Sequence, residues 1–327
     1  MRIAVVANDE MARALGDGTT IDLAGEIQAD TPQKLREALA ALPRDRSWTF
    51  VRFNSPGGDL FAAMEMGRIL RAAGAITQVG GYGGAPGKGT PSICLSACSL
   101  AYLGGVYRYM PQGSVYGVHR AYRTSEPSRS DMDTGQIVAS AMATYIHEMG
   151  VDTRLLALSV KAGKDGMYLL SEAETEALGV VNNGRKEPTW SIEVVDGGTY
   201  LRGAQETVLG EGKIMFSCVG PVVQMMSVYA AGTAKAASLA AAGWTHAMLV
   251  NDEGVPLGQP RRIQASGRFI NTVFALPPAA LQKVASATKV GHAMYAGPGA
   301  RFSLGYQVDI DAVAKAKVAT YMGNCLR

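Results

Sequence analysis

The sequence has 327 residues, which is longer than most single domains, so two domains are expected. Hydrophobic residues make up 47% of the chain, which is enough for a packed core. The net charge of only +3 is not concentrated in a basic tract, which argues against a nucleic-acid partner, and no apolar run reaches the roughly 18 residues that a membrane-spanning helix needs.

The first quarter of the chain alternates strand-like and helix-like segments. A helix is predicted to begin at Thr31, a good N-cap with Pro32 at the first helical position, and to stop at Pro43. A second helix is predicted over Asp59–Ala73. This alternation is typical of a parallel sheet with right-handed crossovers. The strands are predicted at Ile3–Ala7, Thr20–Ile27, Trp48–Phe53 and Ala75–Val79.

Three short motifs carry groups that can do chemistry. The first is Asn54–Gly58, which reads Asn-Ser-Pro-Gly-Gly and follows a strand-like run. The second is Ser92–Gly105, in which small residues surround Ser96 and an apolar run follows at helical spacing. The third is Tyr116–His119, at the end of a short strand. Together they supply a nucleophile, a base and a glycine turn with backbone N–H groups, which are the parts of a nucleophilic hydrolase.

The order of these motifs resembles that of the Clp protease proteolytic subunit, within the Clp-protease/crotonase superfamily. The resemblance covers roughly residues 20–185, and the form Cys-x-Ser-Ala-Cys at residues 94–98 is more similar to a bacterial exported branch of Clp-like proteins. Two spacings match the Clp pattern, since Gly105 lies nine residues after Ser96 and His119 lies 23 residues after it. The resemblance implies an α/β fold, a Clp/crotonase-like spiral of ββα units, and assembly into a homo-oligomer.

The resemblance also implies roles for individual residues. Ser96 would be the nucleophile, and His119 would be the base that takes and returns a proton near neutral pH. The backbone N–H groups of Gly58 and Ala97 would form the oxyanion hole, a role that needs no particular side chain.

The third member of the site stays open at the level of sequence. A carboxylate is needed to orient His119 and to stabilise its cation. A gapless alignment with the Clp pattern puts Met167 where the family has an Asp, whereas two inserted residues would put Asp165 there. Asp165 is the preferred residue. Asn182 is the weaker alternative, because its amide could orient the ring but carries no charge, and a site without a third member is a further alternative.

The four cysteines bear on compartment and on metal binding. We expect Cys218 and Cys325 to form a disulfide, the alternative being two buried thiols, and whether Cys94 and Cys98 pair is left open. No Cys or His pair has the spacing of a metal site, so neither a metal nor another cofactor is predicted. A disulfide would imply an oxidising compartment, periplasmic or extracellular, with a cytoplasmic location as the alternative. No secretory signal is visible in Met1–Asp9.

The middle of the chain contains two predicted loops and three predicted helices. Gly80–Thr90 has six glycines without the spacing of a phosphate-binding loop, and it is interpreted as an exposed loop or as a flap over the site. Ala121–Gly135 is polar and is interpreted as an exposed loop. The helices are predicted over Gln136–Met149, over Asp152–Ala162 and from Ser171, where Ser-Glu-Ala-Glu resembles a capping box.

Composition shifts near Asn182–Pro188, and we place the boundary there, between a predicted hydrolase domain at 1–187 and a second domain of unknown role at 188–327. The second domain is predicted to be α+β, without an internal repeat. Its strands are predicted at Trp190–Val195, Lys213–Val219, His246–Val250 and Arg268–Ala275, and its helices at Val222–Ala242, Pro278–Thr288 and Asp309–Met322.

Three functions are weighed on this basis. The preferred one is a serine hydrolase, a peptidase acting on peptide or protein substrates, with Ser92 and Ser99 as alternative nucleophiles to Ser96. The second is a catalytically weak binding or scaffold protein on the same fold, which the missing Asp at the gapless position favours. The third is a crotonase-like acyl-CoA enzyme, a class that uses the oxyanion hole without a serine nucleophile and usually adds a Glu.

Overall fold

A computed structural model of the chain divides into two compact units, Met1–Gly184 and Arg185–Arg327. The structure describes residues 1–6, 18–43, 48–80, 90–121, 131–162, 166–195, 197–219, 222–251, 253–297 and 303–325. The chain is a mixed α/β protein, with a mainly parallel sheet in the first unit and antiparallel sheets in the second. None of the described helices is both long enough and apolar enough to cross a bilayer.

The first unit is built on a five-stranded sheet in the order β1-β2-β3-β4-β6. Strand β1 is antiparallel to β2, and the remaining neighbours are parallel, as the alternating pattern predicts. The sheet buries polar as well as apolar side chains, among them Thr77 and the ion pair between Asp22 and Arg52 at 2.7 Å. The strands are β1 (Arg2–Val6), β2 (Gly18–Ala24), β3 (Trp48–Asn54), β4 (Ile76–Val79) and β6 (Tyr107–Tyr109).

A second, three-stranded sheet in the same unit positions the motif residues. Its order is β5-β7-β8, with β5 and β7 parallel, so that Leu95 lies opposite Gly117. The strands are β5 (Ile93–Leu95), β7 (Val115–Val118) and β8 (Tyr168–Leu169). The helices of the unit are α1 (Thr31–Ala40), α2 (Leu60–Ala72), α3 (Ala97–Leu103), α4 (Asp131–Glu148), α5 (Arg154–Ser159) and α6 (Glu172–Ala177).

Helix starts in this unit test the predicted capping residues. The capping box at Ser171 and Glu174 is confirmed, because each side chain accepts a hydrogen bond from the other residue's backbone N–H. The predicted N-cap at Thr31 is wrong by one residue: Asp30 is the N-cap, and the Thr31 hydroxyl instead accepts a hydrogen bond from the Gln28 N–H at 2.9 Å. Helix α2 is capped by Asp59, whose carboxylate accepts from the backbone N–H of Ala62.

The predicted loop Ala121–Gly135 is only partly borne out. Helix α4 already begins at Asp131, five residues before the predicted start at Gln136. The polar residues Asp131 and Asp133 suggested a loop, but acidic residues also favour the N-terminus of a helix. Residues 122–130, and residues 81–89 of the predicted flap, lie outside the described residues.

The second unit contains two antiparallel sheets. One has six strands in the order β15-β16-β12-β11-β10-β9, and the other has four in the order β14-β13-β17-β18. The strands of the larger sheet are β9 (Thr189–Val195), β10 (Gly198–Thr207), β11 (Gly210–Val219), β12 (Val222–Ala230), β15 (Arg262–Ser266) and β16 (Phe269–Leu276). Those of the smaller sheet are β13 (Thr245–Val250), β14 (Glu253–Leu257), β17 (Lys289–Tyr295) and β18 (Ser303–Asp309).

Three helices complete the second unit, and two of them differ from prediction. They are α7 (Thr233–Ala241), α8 (Pro278–Ala285) and α9 (Ala312–Cys325). The predicted helix Val222–Ala242 is wrong in its first half, because β12 buries alternate residues, including Val223 and Met225, as a strand does. Helix α9 begins after Asp309, since Asp311 accepts a hydrogen bond from the Ala314 N–H at 2.7 Å.

The predicted pairing of Cys218 with Cys325 is confirmed. The disulfide joins strand β11 to the end of helix α9, with the two Cα atoms 5.6 Å apart. It therefore fastens the last helix to the larger sheet.

A buried chain of polar side chains runs through the second unit. The Tyr306 hydroxyl donates its one hydrogen to the Lys213 carbonyl, so it accepts the hydrogen bond from Ser227 Oγ at 2.9 Å. Ser227 Oγ then accepts from His292 Nδ1 at 2.8 Å, and His292 Nε2 accepts from His246 Nδ1 at 3.1 Å. In this order of donors the Nε2 of His292 accepts a hydrogen bond, so the imidazole of His292 is neutral. Burial lowers the pKa of His246, and burial together with His246 lowers the pKa of His292 to about 3.

We expect these hydrogen-bonded histidines to make the folding stability of the protein sensitive to mild acid. The folded-state pKa of His292 lies below that of an unfolded histidine, so the unfolded protein binds this proton first as the pH falls. The contribution of His292 to the free energy of unfolding is therefore complete above about pH 6.5. It falls towards pH 3 by at most about 1.4 kcal/mol per pH unit. Urea unfolding of the full chain should show this loss between pH 7.5 and pH 5. His292→Gln, which keeps a donor and an acceptor, should reduce the slope, and exposed His147→Gln should leave it unchanged. Equal slopes in all three proteins would contradict the assignment.

Candidate active site

Ser96 stands between strand β5 and helix α3 in a backbone conformation that is rare for residues other than glycine. Its φ is +55° and its ψ is −129°. Such a conformation costs about 1–3 kcal/mol and persists only where neighbouring structure holds it. Here the Ser96 N–H donates to the Gly117 carbonyl at 2.9 Å, and the Leu95 N–H donates to the Ser55 carbonyl at 3.1 Å. A strained strand-to-helix turn of this kind presents the serine hydroxyl at the end of a sheet.

Gly57 approaches this turn, and Gly58 approaches the backbone of Ile27, more closely than any side chain would allow. Their φ values are +111° and +134°. A Cβ atom on Gly57 would lie 2.7 Å from the Cβ of Ser96 and 2.8 Å from the Leu95 carbonyl oxygen. A Cβ atom on Gly58 would lie 2.1 Å from the Ile27 carbonyl oxygen. Glycine at both positions is therefore a steric requirement of the site.

His119 follows strand β7 and reaches Ser96 across the small sheet. Its Nε2 lies 2.6 Å from Ser96 Oγ, and its Nδ1 lies 2.8 Å from the carbonyl oxygen of Arg120. A carbonyl oxygen can only accept, so Nδ1 carries the hydrogen of the neutral ring. Nε2 is then the acceptor, and the Ser96 hydroxyl donates to it, which is the arrangement in which an imidazole can take the serine proton.

Two backbone N–H groups belong to residues that line the same cavity as Ser96. The N–H of Ala97 opens helix α3, where the first N–H groups have no partner within the helix. Gly58 contributes the other. Within the described part of the chain, neither N–H donates to another residue.

A cavity of about 510 Å³ opens beside these groups. One part of its wall is polar and includes Ser96, His119 and Glu26, and the other part is apolar. The apolar residues come mainly from helices α2 to α5 and are Leu60, Leu100, Met142, Ile146, Leu155 and Leu156, joined by Val118 and Met167.

Two of the positions considered for a third member, Met167 and Asn182, lie in the described structure. Asp165 lies outside the described residues. Met167, at the gapless position, lines the cavity. Asn182 is engaged elsewhere, because its Oδ1 accepts from the Arg108 N–H at 2.8 Å and its Nδ2 donates to the Val106 carbonyl at 2.9 Å. The carbonyl of Arg120 is thus the Nδ1 partner that the structure describes.

The alternative nucleophile Ser99 has another role. It is 2% exposed, and its hydroxyl donates to the Ser96 carbonyl at 2.6 Å, which helps to hold the turn. Ser92 lies before strand β5, and its carbonyl accepts from the Val115 N–H at 2.8 Å. In the part of the chain that the structure describes, neither hydroxyl contacts a histidine as that of Ser96 does.

Cys94 and Cys98, whose pairing the sequence left open, form a disulfide across the turn. Their Cα atoms are 5.2 Å apart, and neither residue is exposed. Two disulfides are typical of a protein from an oxidising compartment. Among the residues that the structure describes, there is no cluster of three or more His, Cys, Asp or Glu side chains that could hold a metal ion.

Sequence reasoning missed several parts of this site. The conformation of Ser96 depends on contacts with distant residues and leaves no local signal. The cavity wall from α4 was detectable, because Met142 and Ile146 belong to the apolar stripe of a predicted helix. Glu26 had been interpreted only as part of a strand end.

No protein-family model and no curated protein matches the chain, but solved structures do. One is a mutant of the 1510-N membrane-bound stomatin-specific protease, with 16% identity and a TM-score of 0.37 over 49% of this chain and 75% of that one. Another is a mutant of ClpP1 from Listeria monocytogenes, with 18% identity and a TM-score of 0.37 over 50% of this chain and 88% of that one. Each of these two matches covers about half of this chain.

Proposed function

We propose that the first unit is a serine hydrolase, and specifically a peptidase, with a Clp/crotonase-like arrangement of ββα units. The observation that carries the proposal is the 2.6 Å contact between Ser96 Oγ and His119 Nε2, at a strained turn beside a cavity. A serine hydroxyl is unreactive near neutral pH unless a base removes its proton, and this contact supplies one.

In the proposed reaction Ser96 Oγ attacks the carbonyl carbon of a peptide bond while its proton passes to His119 Nε2. The N–H groups of Gly58 and Ala97 hold the resulting oxyanion. When the tetrahedral intermediate collapses, the C–N bond breaks and His119 returns the proton to the leaving amine. Water then enters, loses a proton to His119 and hydrolyses the acyl-serine, which regenerates the hydroxyl. Every proton transfer uses the same ring nitrogen.

The charge of the group that contacts His119 Nδ1 determines how fast a site of this kind can hydrolyse its substrate. A carbonyl oxygen such as that of Arg120 fixes the tautomer, but it lacks the full negative charge that stabilises an imidazolium. A binding or scaffold protein with weak catalysis is the second candidate function. We propose Asp165 as the residue that supplies the charge when the site is fully active, and no observation favours the acyl-CoA alternative.

Compartment and assembly belong to the same proposal. The two disulfides support a periplasmic or secreted protein rather than a cytoplasmic one. We also propose a homo-oligomer acting on peptide or protein substrates, in keeping with the motif resemblance.

A fluorophosphonate probe tests the activated serine in the native full chain. Ser96 Oγ should bond to the phosphorus with loss of fluoride, so the intact mass should rise by one adduct and peptide mapping should place it on Ser96. Urea-unfolded protein, in which the His119 contact is lost, should not react. Absence of an adduct, or an adduct on another serine, would contradict the proposal. New peptide termini released from a denatured protein substrate would identify a peptidase.

A further inference from the structure

We propose that the Cys94–Cys98 disulfide is a positioning element that holds Ser96 in its reactive conformation. The inference rests on the proposed function, because it concerns the same serine. It goes further by assigning two cysteines to the site and by making the reactivity of Ser96 depend on their oxidation.

The first argument is the placement of the disulfide. Cys94 lies two residues before Ser96 in strand β5, and Cys98 lies two residues after it in the first turn of helix α3. The bond therefore closes a small ring whose central residue is Ser96. The backbone of Cys94 is itself held in place, because it forms a β-bridge with Ser55 beside the glycine turn. The two ends of the Ser96 turn are thereby tied to each other and to the segment that carries Gly57.

The second argument is the cost of the conformation that the ring encloses. A residue other than glycine at φ +55° is unfavourable by about 1–3 kcal/mol, and an open turn would relax towards an ordinary φ. Hydrogen bonds from the Ser96 N–H to Gly117 and from the Ser99 hydroxyl to the Ser96 carbonyl oppose this relaxation. A net hydrogen bond contributes only about 1 kcal/mol, so a covalent tie of the same turn is a comparable or larger restraint.

The third argument concerns what the relaxation would change. Rotation about Ser96 would move Oγ away from His119 Nε2 and turn the Ala97 N–H, because both belong to the same short turn. The cavity wall would change little, since its apolar residues lie mainly on helices α2, α4 and α5. Loss of the disulfide should therefore slow the chemical step rather than weaken binding, and displacements of about 1 Å can cost 10²-fold in rate.

Reduction of the native protein is the most conservative test. A dithiol such as dithiothreitol gives two electrons and two protons to the Sγ–Sγ bond, which breaks into two thiols while the dithiol closes to its own disulfide. Both sulfur atoms stay in the core, so packing is nearly preserved. Alkylation of the denatured sample and mass measurement establish which cysteines were reduced.

The expected result is a 10- to 100-fold lower maximal rate of Ser96 labelling in the reduced protein, with the probe concentration for half-maximal rate unchanged. Reoxidation should restore the rate. The variant Cys94→Ala/Cys98→Ala should react as slowly as the reduced protein and should be insensitive to reduction. The matched control Cys218→Ala/Cys325→Ala removes the other disulfide and should label at the native rate before reduction but slowly after it.

Two outcomes would overturn the inference. One is a reduced protein in which Ser96 is labelled as fast as in the oxidised protein. This comparison needs no substitution, so it tests the inference even if the Cys94→Ala/Cys98→Ala variant fails to fold. The other, for a disulfide that resists reduction, is a folded Cys94→Ala/Cys98→Ala variant that labels at the native rate. Failure of the hydrolase proposal is distinguishable from both, because the oxidised native protein would then show no adduct on Ser96 at all.

Discussion

Replacement of Ser96 by alanine is expected to abolish hydrolysis of a p-nitrophenyl ester above the background rate, and replacement of His119 by alanine should lower kcat/KM by about 10²–10⁴-fold. The physical reason is the shared proton: Ser96 Oγ is the nucleophile, and His119 Nε2, 2.6 Å away, is the base that makes it reactive. Groups that act as a unit are strongly non-additive, so the double variant should be no slower than Ser96→Ala alone.

The control for this experiment is Ser92→Ala, which removes a nearby serine outside the Ser96–His119 contact and should retain the native rate. Far-UV circular dichroism of each variant separates loss of chemistry from loss of fold. A His119→Ala variant with native kcat/KM would remove the base from the proposal. Hydrolysis by Ser96→Ala above the background rate would remove Ser96 as the nucleophile.

Gly57→Ala is expected to reduce fluorophosphonate labelling of Ser96 by more than about 100-fold, because the new methyl group cannot be placed without moving the serine. Its Cβ would lie 2.7 Å from Ser96 Cβ and 3.1 Å from the Ala97 nitrogen, so both the nucleophile and one oxyanion donor would shift. The φ of +111° adds backbone strain to the steric conflict.

Gly25→Ala is the matched control, since it carries the same kind of strain without the contact. Gly25 has a φ of +90°, but a Cβ atom there meets no other atom within 4 Å. It should lower stability modestly and leave the labelling rate of Ser96 near the native value. Equal loss of labelling in both variants would show that general destabilisation, rather than displacement of Ser96, explains the Gly57 result.

The sequence was sufficient for the parts of the first unit that depend on local pattern. The alternation of strands and helices predicts the parallel order of β2, β3 and β4, and the capping box at Ser171 marks the start of α6. Ser96 and His119 were predicted as a pair from the resemblance of their motifs to the Clp pattern. In the structure both follow strand ends, which the parallel pairing of β5 and β7 brings together. Their chemical roles stay predictions until the labelling and ester experiments are done.

The remaining features depend on contacts between distant residues. The φ of Ser96 is set by hydrogen bonds and a disulfide around the turn, and no propensity predicts it. Strand β12 was taken for a helix because Ala and Met favour helices, whereas burial between β11 and β16 overrides that preference. Strands β10, β14 and β15 were missed because their glycines and exposed polar residues weaken the alternation that marks a strand.

The disulfide between Cys218 and Cys325 has a practical consequence for anyone who cleaves this protein. It spans 107 positions of the chain, so a single cut anywhere between those cysteines leaves two fragments that stay covalently joined. A nicked sample would keep the mass of the intact chain plus one water, and it would migrate as one band until the disulfide is reduced. Self-cleavage in this region, if the first unit does act on proteins, would therefore separate fragments on a gel only under reducing conditions.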